Sequence, residues 1–143
     1  MSLNTRRAIY GRMSGDTTLN NLLGTPATGY SKAIYHNQAP ANANFPFVVF
    51  FKSAGTPSYT FKQGASHKED VWVVKAVDRN TTADQAETID ARLDALLTDG
   101  TVSISGATQM YLRRESDVEY PETHDGVLYQ HVGGSYRLVY EPT

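Results

Sequence analysis

Four histidines, His36, His67, His124 and His131, are the side chains best suited to proton transfer or metal binding near neutral pH. Their spacing builds no site. No two stand at i,i+4 in a helical stretch, and HExxH does not occur, so the zinc-protease arrangement is missing. "ETHD" brings Glu122, His124 and Asp125 together. That trio could hold a metal weakly, but it reads more simply as a solvated loop between two strands. A serine nucleophile would sit in GxSxG, and neither "GRMSGD" nor "GASH" matches. Catalytic triads are defined by geometry rather than sequence order, so the missing motif leaves an enzyme without positive support. The expectation is no enzyme, no cofactor and no metal.

"EDVWVVKAVDRNTTADQAETIDARLDALL", from Glu69 to Leu97, is a strand, a connection and a helix. That order also opens a dinucleotide or phosphate site. Such a site needs glycines in the connection so that backbone amides can approach the phosphate. "VDRNTT" has none. The helix carries Asp84, Glu87, Asp90 and Asp94, followed by Asp99, against Arg92 alone, and an acidic start repels an anion. The unit reads as scaffold.

The elements around it follow from pattern. The chain has 143 residues, 40% of them hydrophobic, which is one domain of ordinary size with material for a core. Lys and Arg number 13 against 15 Asp and Glu, for a net charge of −2, so no basic excess marks a nucleic-acid binder. Cysteine is absent, which excludes disulfides and thiolate chemistry. No apolar run is long enough to cross a membrane, and the first residues do not form a secretory signal.

Residues from about Ser2 to Met13 read as a helix broken at Gly15–Asp16, where Asp16 can cap a short second helix, "TTLNNLLG". "AIYHNQAPANANFP" holds a short strand and then a polar loop. "FPFVVFF" is apolar on both faces, as is "VWVVKAV", so both are central strands. "TPSYTFKQGASHK" between them is either an excursion or the tip of a long hairpin. A long helix over about 82–98 is expected, capped by Thr81 or Thr82. Ala86, Ile89, Leu93, Leu96 and Leu97 form its apolar stripe, and Gly100 ends it. "TVSISG" predicts a short edge strand and "TQMYLRRESDVEY" another strand. "PETHDG" predicts a turn. The last segment predicts a strand pair, or one strand bulged at Gly133–Gly134. The fold class is α+β: a single domain over 1–143, with a mostly antiparallel or mixed sheet, N-terminal helices and one long helix packed on it.

Tyrosine and arginine are favoured where proteins meet. Tyr59, Phe61, Tyr111, Tyr120, Tyr129 and Tyr136 are more aromatics than a small core needs, and as a set they point to an interface. Two patches of opposite sign stand out. Arg6, Arg7 and Arg12 lie in the first helix; Asp84, Glu87, Asp90 and Asp94 lie on the late one. They are expected to meet across subunits or to steer encounter. Tyr59, Phe61, Lys62 and Lys68 form a second candidate, a loop that orders on a partner.

"AIYGRMSGDTTLNNLLG", "NFPFVVF", "VWVVKAVDRNTTADQAETIDARLDALL", "SISGATQMYLRRES" and "DGVLYQHVGGSYRLVY" together resemble the tail terminator or tail completion proteins of long-tailed bacteriophages. The resemblance runs from about Ala8 to Tyr140. It implies a structural virion protein that forms a homo-oligomeric ring, a hexamer, at the head-proximal end of the tail. Such a ring caps the tail tube, stops its polymerisation and presents a surface to head–tail connector proteins. Assembly would take place in the host cytoplasm, without cofactor, sequence-specific nucleic acid or membrane. Another connector or head-completion ring would share size, class and charge. A small ligand-binding dimer is a further alternative.

Overall fold

The computed structural model describes residues 2–59 and 65–143. Three helices and five strands follow one another: α1 (Ser2–Ser14), α2 (Thr17–Leu22), β1 (Ile34–His36), β2 (Phe47–Tyr59), β3 (Ala65–Asp78), α3 (Asp84–Leu97), β4 (Ala107–His124) and β5 (Val127–Pro142). The strands form one sheet in the order β1-β2-β3-β5-β4. β1 runs parallel to β2, and every other neighbouring pair is antiparallel. This is the α+β class expected, with the helices packed on the sheet.

Strand alternation decides which side chains meet the helices. Val48 and Phe50 of β2, Trp72, Val74 and Ala76 of β3, and Tyr136 and Leu138 of β5 share one face. They pack with Ile9 and Met13 of α1 and with Ile89, Leu93 and Leu97 of α3. The apolar stripe of α3 is buried as its spacing predicts. Burying Ile89, Leu93, Leu96 and Leu97 contributes roughly 6–12 kcal/mol gross, an upper bound. Phe47, Val49 and Val77 point to the opposite face. There the chain between α2 and β2 covers them with Ala27, Ala33 and Phe45, alongside Tyr35 of β1. The central strands are therefore apolar on both sides for a physical reason.

Asp16 caps α2 as expected: its Oδ2 accepts from the Leu19 amide at 2.8 Å. Arg92 of α3 donates to the same carboxylate at 2.6 and 2.8 Å, tying the α1–α2 corner to the long helix. That guanidinium holds the Asp16 carboxyl below its ordinary pKa.

Five expectations need correction. The α3 cap is not a threonine. Asn80 Oδ1 accepts from the Thr81 and Thr82 amides, which forms a local turn, and Ala83 stands at the cap with no side-chain bond. The left-handed residue after the helix is Asp99, with φ 57, one position before Gly100. "TVSISG" is not a strand. Val102 and Ile104 are buried, but the backbone there is met by a side chain: Gln109 Oε1 accepts from the Val102 amide, and its Nε2 donates to Gly100 O, both at 2.7 Å. "PETHDG" is mostly strand. β4 pairs with β5 out to His124↔Val127, so only Asp125 and Gly126 turn, at φ 50 and 76. Two positive φ values in a two-residue connection suit the twist of a hairpin. Finally, β5 is one strand, and the bulges lie opposite it, at Met110 and Glu115 of β4. Gly133 and Gly134 serve close approach instead. A Cβ on Gly133 would collide with the Val74 carbonyl and Lys75, and one on Gly134 with the Arg114 guanidinium.

Candidate functional site

The described side chains proposed as a surface lie on α1 and α3 and on strands β2 to β5. α1 presents three arginines and no acid. Arg12 is committed within the chain, its Nε donating to Leu96 O at 3.0 Å. Arg6 lies beside β1, with Nη1 3.4 Å from His36 Nδ1. Burial, and then the Arg6 charge, hold His36 below the ordinary histidine pKa. Arg7 is exposed. Arg6, Arg7, Tyr10, Tyr30 and His36 line a groove of about 450 Å³ with Phe50 at its base. Tyr30 is 49% exposed there.

The acids of α3 divide. Asp84 and Glu87 are exposed in the first turn, where they suit the helix N-terminus. Asp90 faces inward to β4. Arg114 donates to its two oxygens at 2.8 and 3.1 Å, and both partners are 16% exposed. Arg114 also donates to Gly133 O at 2.7 Å and to the Tyr136 hydroxyl at 3.2 Å. The Asp90 hydrogen bond raises the Arg114 pKa further above its already high value. Burial does the same to the Tyr136 phenol. Asp94 accepts from Thr98 Oγ1 and, at 3.5 Å, from Tyr136. Of the seven residues expected at a subunit contact, Arg12, Asp90 and Asp94 thus have partners in their own chain. Arg6 is half-buried beside His36, and Arg7, Asp84 and Glu87 are exposed.

The aromatic set divides in the same way. Tyr136 is fully buried in the core, which corrects its reading as an interface residue. Tyr111 and Tyr120 are exposed on β4, and Tyr129 is half-buried. Phe61 and Lys62 lie outside the described residues. Tyr59 ends β2 and Lys68 is half-buried in β3. β2 and β3 pair out to Tyr59↔Ala65, whereas β5 accompanies β3 only as far as Lys68↔Tyr140.

Sequence reading missed the outer edge of the sheet. Among the described residues β4 pairs with β5 alone, and it carries Met110 at 57%, Tyr111 at 40% and Tyr120 at 39% exposure. Tyr120 is fixed in place: Lys75 Nζ donates to its hydroxyl at 2.6 Å, and its ring stacks on His131 with centroids 4.4 Å apart. His131 Nε2 is 3.2 Å from Glu122 Oε1. Burial, followed by the Lys75 charge, holds the His131 pKa below its usual value. "ETHD" is split by this pairing, because Glu122 faces His131 while His124 faces Asp125 at 3.3 Å. Among the described residues no three His, Asp or Glu side chains are placed to hold an ion. No helix among them is long and apolar enough to cross a membrane. The exposed alternation of β4 was visible in "QMYLRRESDVEY", but its position at an edge was not.

Residues 7–140 match the family described as Tail completion protein gp17. The chain belongs to the tail completion protein gp17 family. By that membership it is a structural protein of the phage tail, and such a protein is not normally an enzyme. A solved structure from the virion of a native gene transfer agent particle shares the fold, with a TM-score of 0.76 at 16% identity over 98% of this chain and 96% of that one. A second solved structure aligns with a TM-score of 0.52 at 18% identity, covering 100% of this chain and 96% of its own. No curated protein sequence matches the chain.

Proposed function

We propose that copies of this tail completion protein close into a ring, six-fold as the family resemblance implies. The ring caps the head-proximal end of the tail tube, stops its polymerisation and offers the head connector a surface. The observation that carries the reading is the family match over residues 7–140, nearly the whole chain. Exposed arginine and tyrosine side chains, among them Arg7, Tyr30, Tyr111 and Tyr120, are of the kinds that protein contacts favour, which supports the reading.

Within that ring, Arg6 and Arg7 face the acidic side of a neighbour, the side that carries Asp84 and Glu87 on α3 and, next to the approach to that helix, the β4–β5 turn. The end of the β2–β3 hairpin, with Tyr59, Phe61, Lys62 and Lys68, meets the tube. Among the described residues β3 pairs with β2 out to Ala65 but with β5 only as far as Lys68, which leaves that side of β3 open to a partner. Light scattering over a concentration series, with negative-stain images of the highest fraction and of mixtures with tail tubes, tests the ring. Closed rings, alone or at tube ends, are expected. A compact dimer that ignores tubes would overturn the proposal. Deleting Ser58 to Gly64 should leave a folded protein that no longer caps tubes, and capping by that variant would remove the hairpin from the contact.

A further inference from the structure

We infer that the acidic end of the β4–β5 hairpin of one copy seats in the arginine and tyrosine groove beside β1 of the next. The inference rests on the ring reading above and names the contact that closes it.

Topology comes first. β1 and β4 are the opposite edges of the five-stranded sheet. A contact between them joins two different surfaces of the same chain. Repeated, such a contact closes a ring when its rotation returns to the starting subunit, whereas one patch meeting itself stops at a dimer.

Charge separates the two edges. Residues 115–127 hold five acids and no Lys or Arg, while α1 holds three arginines and no acid. Part of the hairpin charge is answered at home: Arg137 pairs with Glu115, and Arg114 pairs with Asp117 at 2.9 Å. Glu119 is exposed, with no ion-pair partner among the described residues. Arg7 is in the same position at the other edge, and the partner of Arg6 is a histidine held toward its neutral form rather than a carboxylate. Each edge thus carries charge that the single chain leaves unanswered, of opposite sign.

Shape and order fit the same contact. Tyr120 lies on the sheet face opposite Glu119, held there by Lys75 and His131, so the strand that presents Glu119 is braced from behind and loses little freedom on docking. The groove offers the exposed Tyr30 ring beside the arginines. Strand addition is the other way an edge can bind, and β4 is built against it. Two bulges interrupt its register, at Met110 and Glu115, and Pro121 has no amide to donate. The hairpin therefore docks through side chains.

The chain lacks cysteine, so an introduced pair reports without background. In the full chain, Arg7→Cys with Glu119→Cys is oxidised on tubes polymerised from tail tube protein. The expected result is a ladder of covalent oligomers ending at the closed ring, with neither single variant laddering beyond a dimer. Separately, Arg7→Glu and Glu119→Arg should each raise the protein concentration needed for ring formation about tenfold or more. The double reversal should recover most of that loss, with Tm unchanged throughout. Wild-type rings with no ladder and no effect of either reversal would overturn the inference and leave the ring reading standing. Absence of any ring from the wild type would overturn both. Loss of tube binding by Glu119→Arg while its rings persist in solution would assign the hairpin to the tube and overturn the inference as well.

Discussion

Arg114→Leu isolates the interaction that takes Asp90 out of the surface and into the structure. The wild-type guanidinium makes two bonds to Asp90, one to Gly133 O and one to Tyr136, with both charged partners 16% exposed. Leucine fills some of the volume but leaves a largely buried carboxylate without its cation. Breaking a buried pair from one side costs about 3–5 kcal/mol, and the remaining solvent contact favours the lower end, about 3 kcal/mol. For a chain of this size that is a fall in Tm of roughly 6–12 °C. Urea unfolding followed by tryptophan fluorescence suits the assay, since Trp72 sits in the same core. The double variant Arg114→Leu/Asp90→Leu should be less destabilised than Arg114→Leu alone, because no orphaned charge remains. A change within about 0.5 kcal/mol for Arg114→Leu, the range of ordinary surface substitutions, would refute the reasoning and return Asp90 to the list of free surface acids.

Other outcomes follow from the same geometry. Ile89→Ala opens a cavity where α3 meets the sheet and should cost about 2–5 kcal/mol in denaturant unfolding. His36 and His131 are both held below their ordinary pKa by burial, so the unfolded chain takes up protons first as pH falls. Stability should therefore decline from about pH 7 toward pH 5, and His131→Gln should flatten that decline in a pH series of unfolding curves. Asp16 acts with the same sign in a lower range: its depressed carboxyl contributes stability above about pH 4 that is lost as pH drops through the folded value, and Asp16→Asn should remove that acid-limb loss. Gly126→Ala, at φ 76 in the hairpin turn, should destabilise by about 1–2 kcal/mol without altering the register of β4 against β5, read by amide hydrogen exchange.

What periodicity controls could be read from the sequence. The stripe from Ala86 to Leu97 fixed the buried side of α3, whereas β3, apolar on both faces, left open which face meets it until the packing put Trp72, Val74 and Ala76 there. Asp16 was legible as a cap because capping is a local bond. The misreadings came where a distant group supplied what local pattern would otherwise need. Gln109 satisfies the backbone at Gly100 and Val102, so the alternation of Val102 and Ile104 builds no strand. Long pairing with β5 carries β4 straight through Pro121, because an edge strand tolerates a missing amide. The surface was the hardest part. Asp90 and Asp84 look alike on a helical face, and only the fold brings Arg114 to one of them, 24 residues away. Order β1-β2-β3-β5-β4 is likewise invisible in the chain, and it is what puts Tyr120 on one edge strand and His36 on the opposite one.

The most direct test of the capping role is the length of tail tubes polymerised from tube protein with and without this chain, imaged by electron microscopy. Capping predicts that added protein stops elongation at a fixed point and leaves one end of each tube bearing a closed ring. Tubes that continue to grow at the same rate, or that carry the protein along their shafts with bare ends, would contradict it.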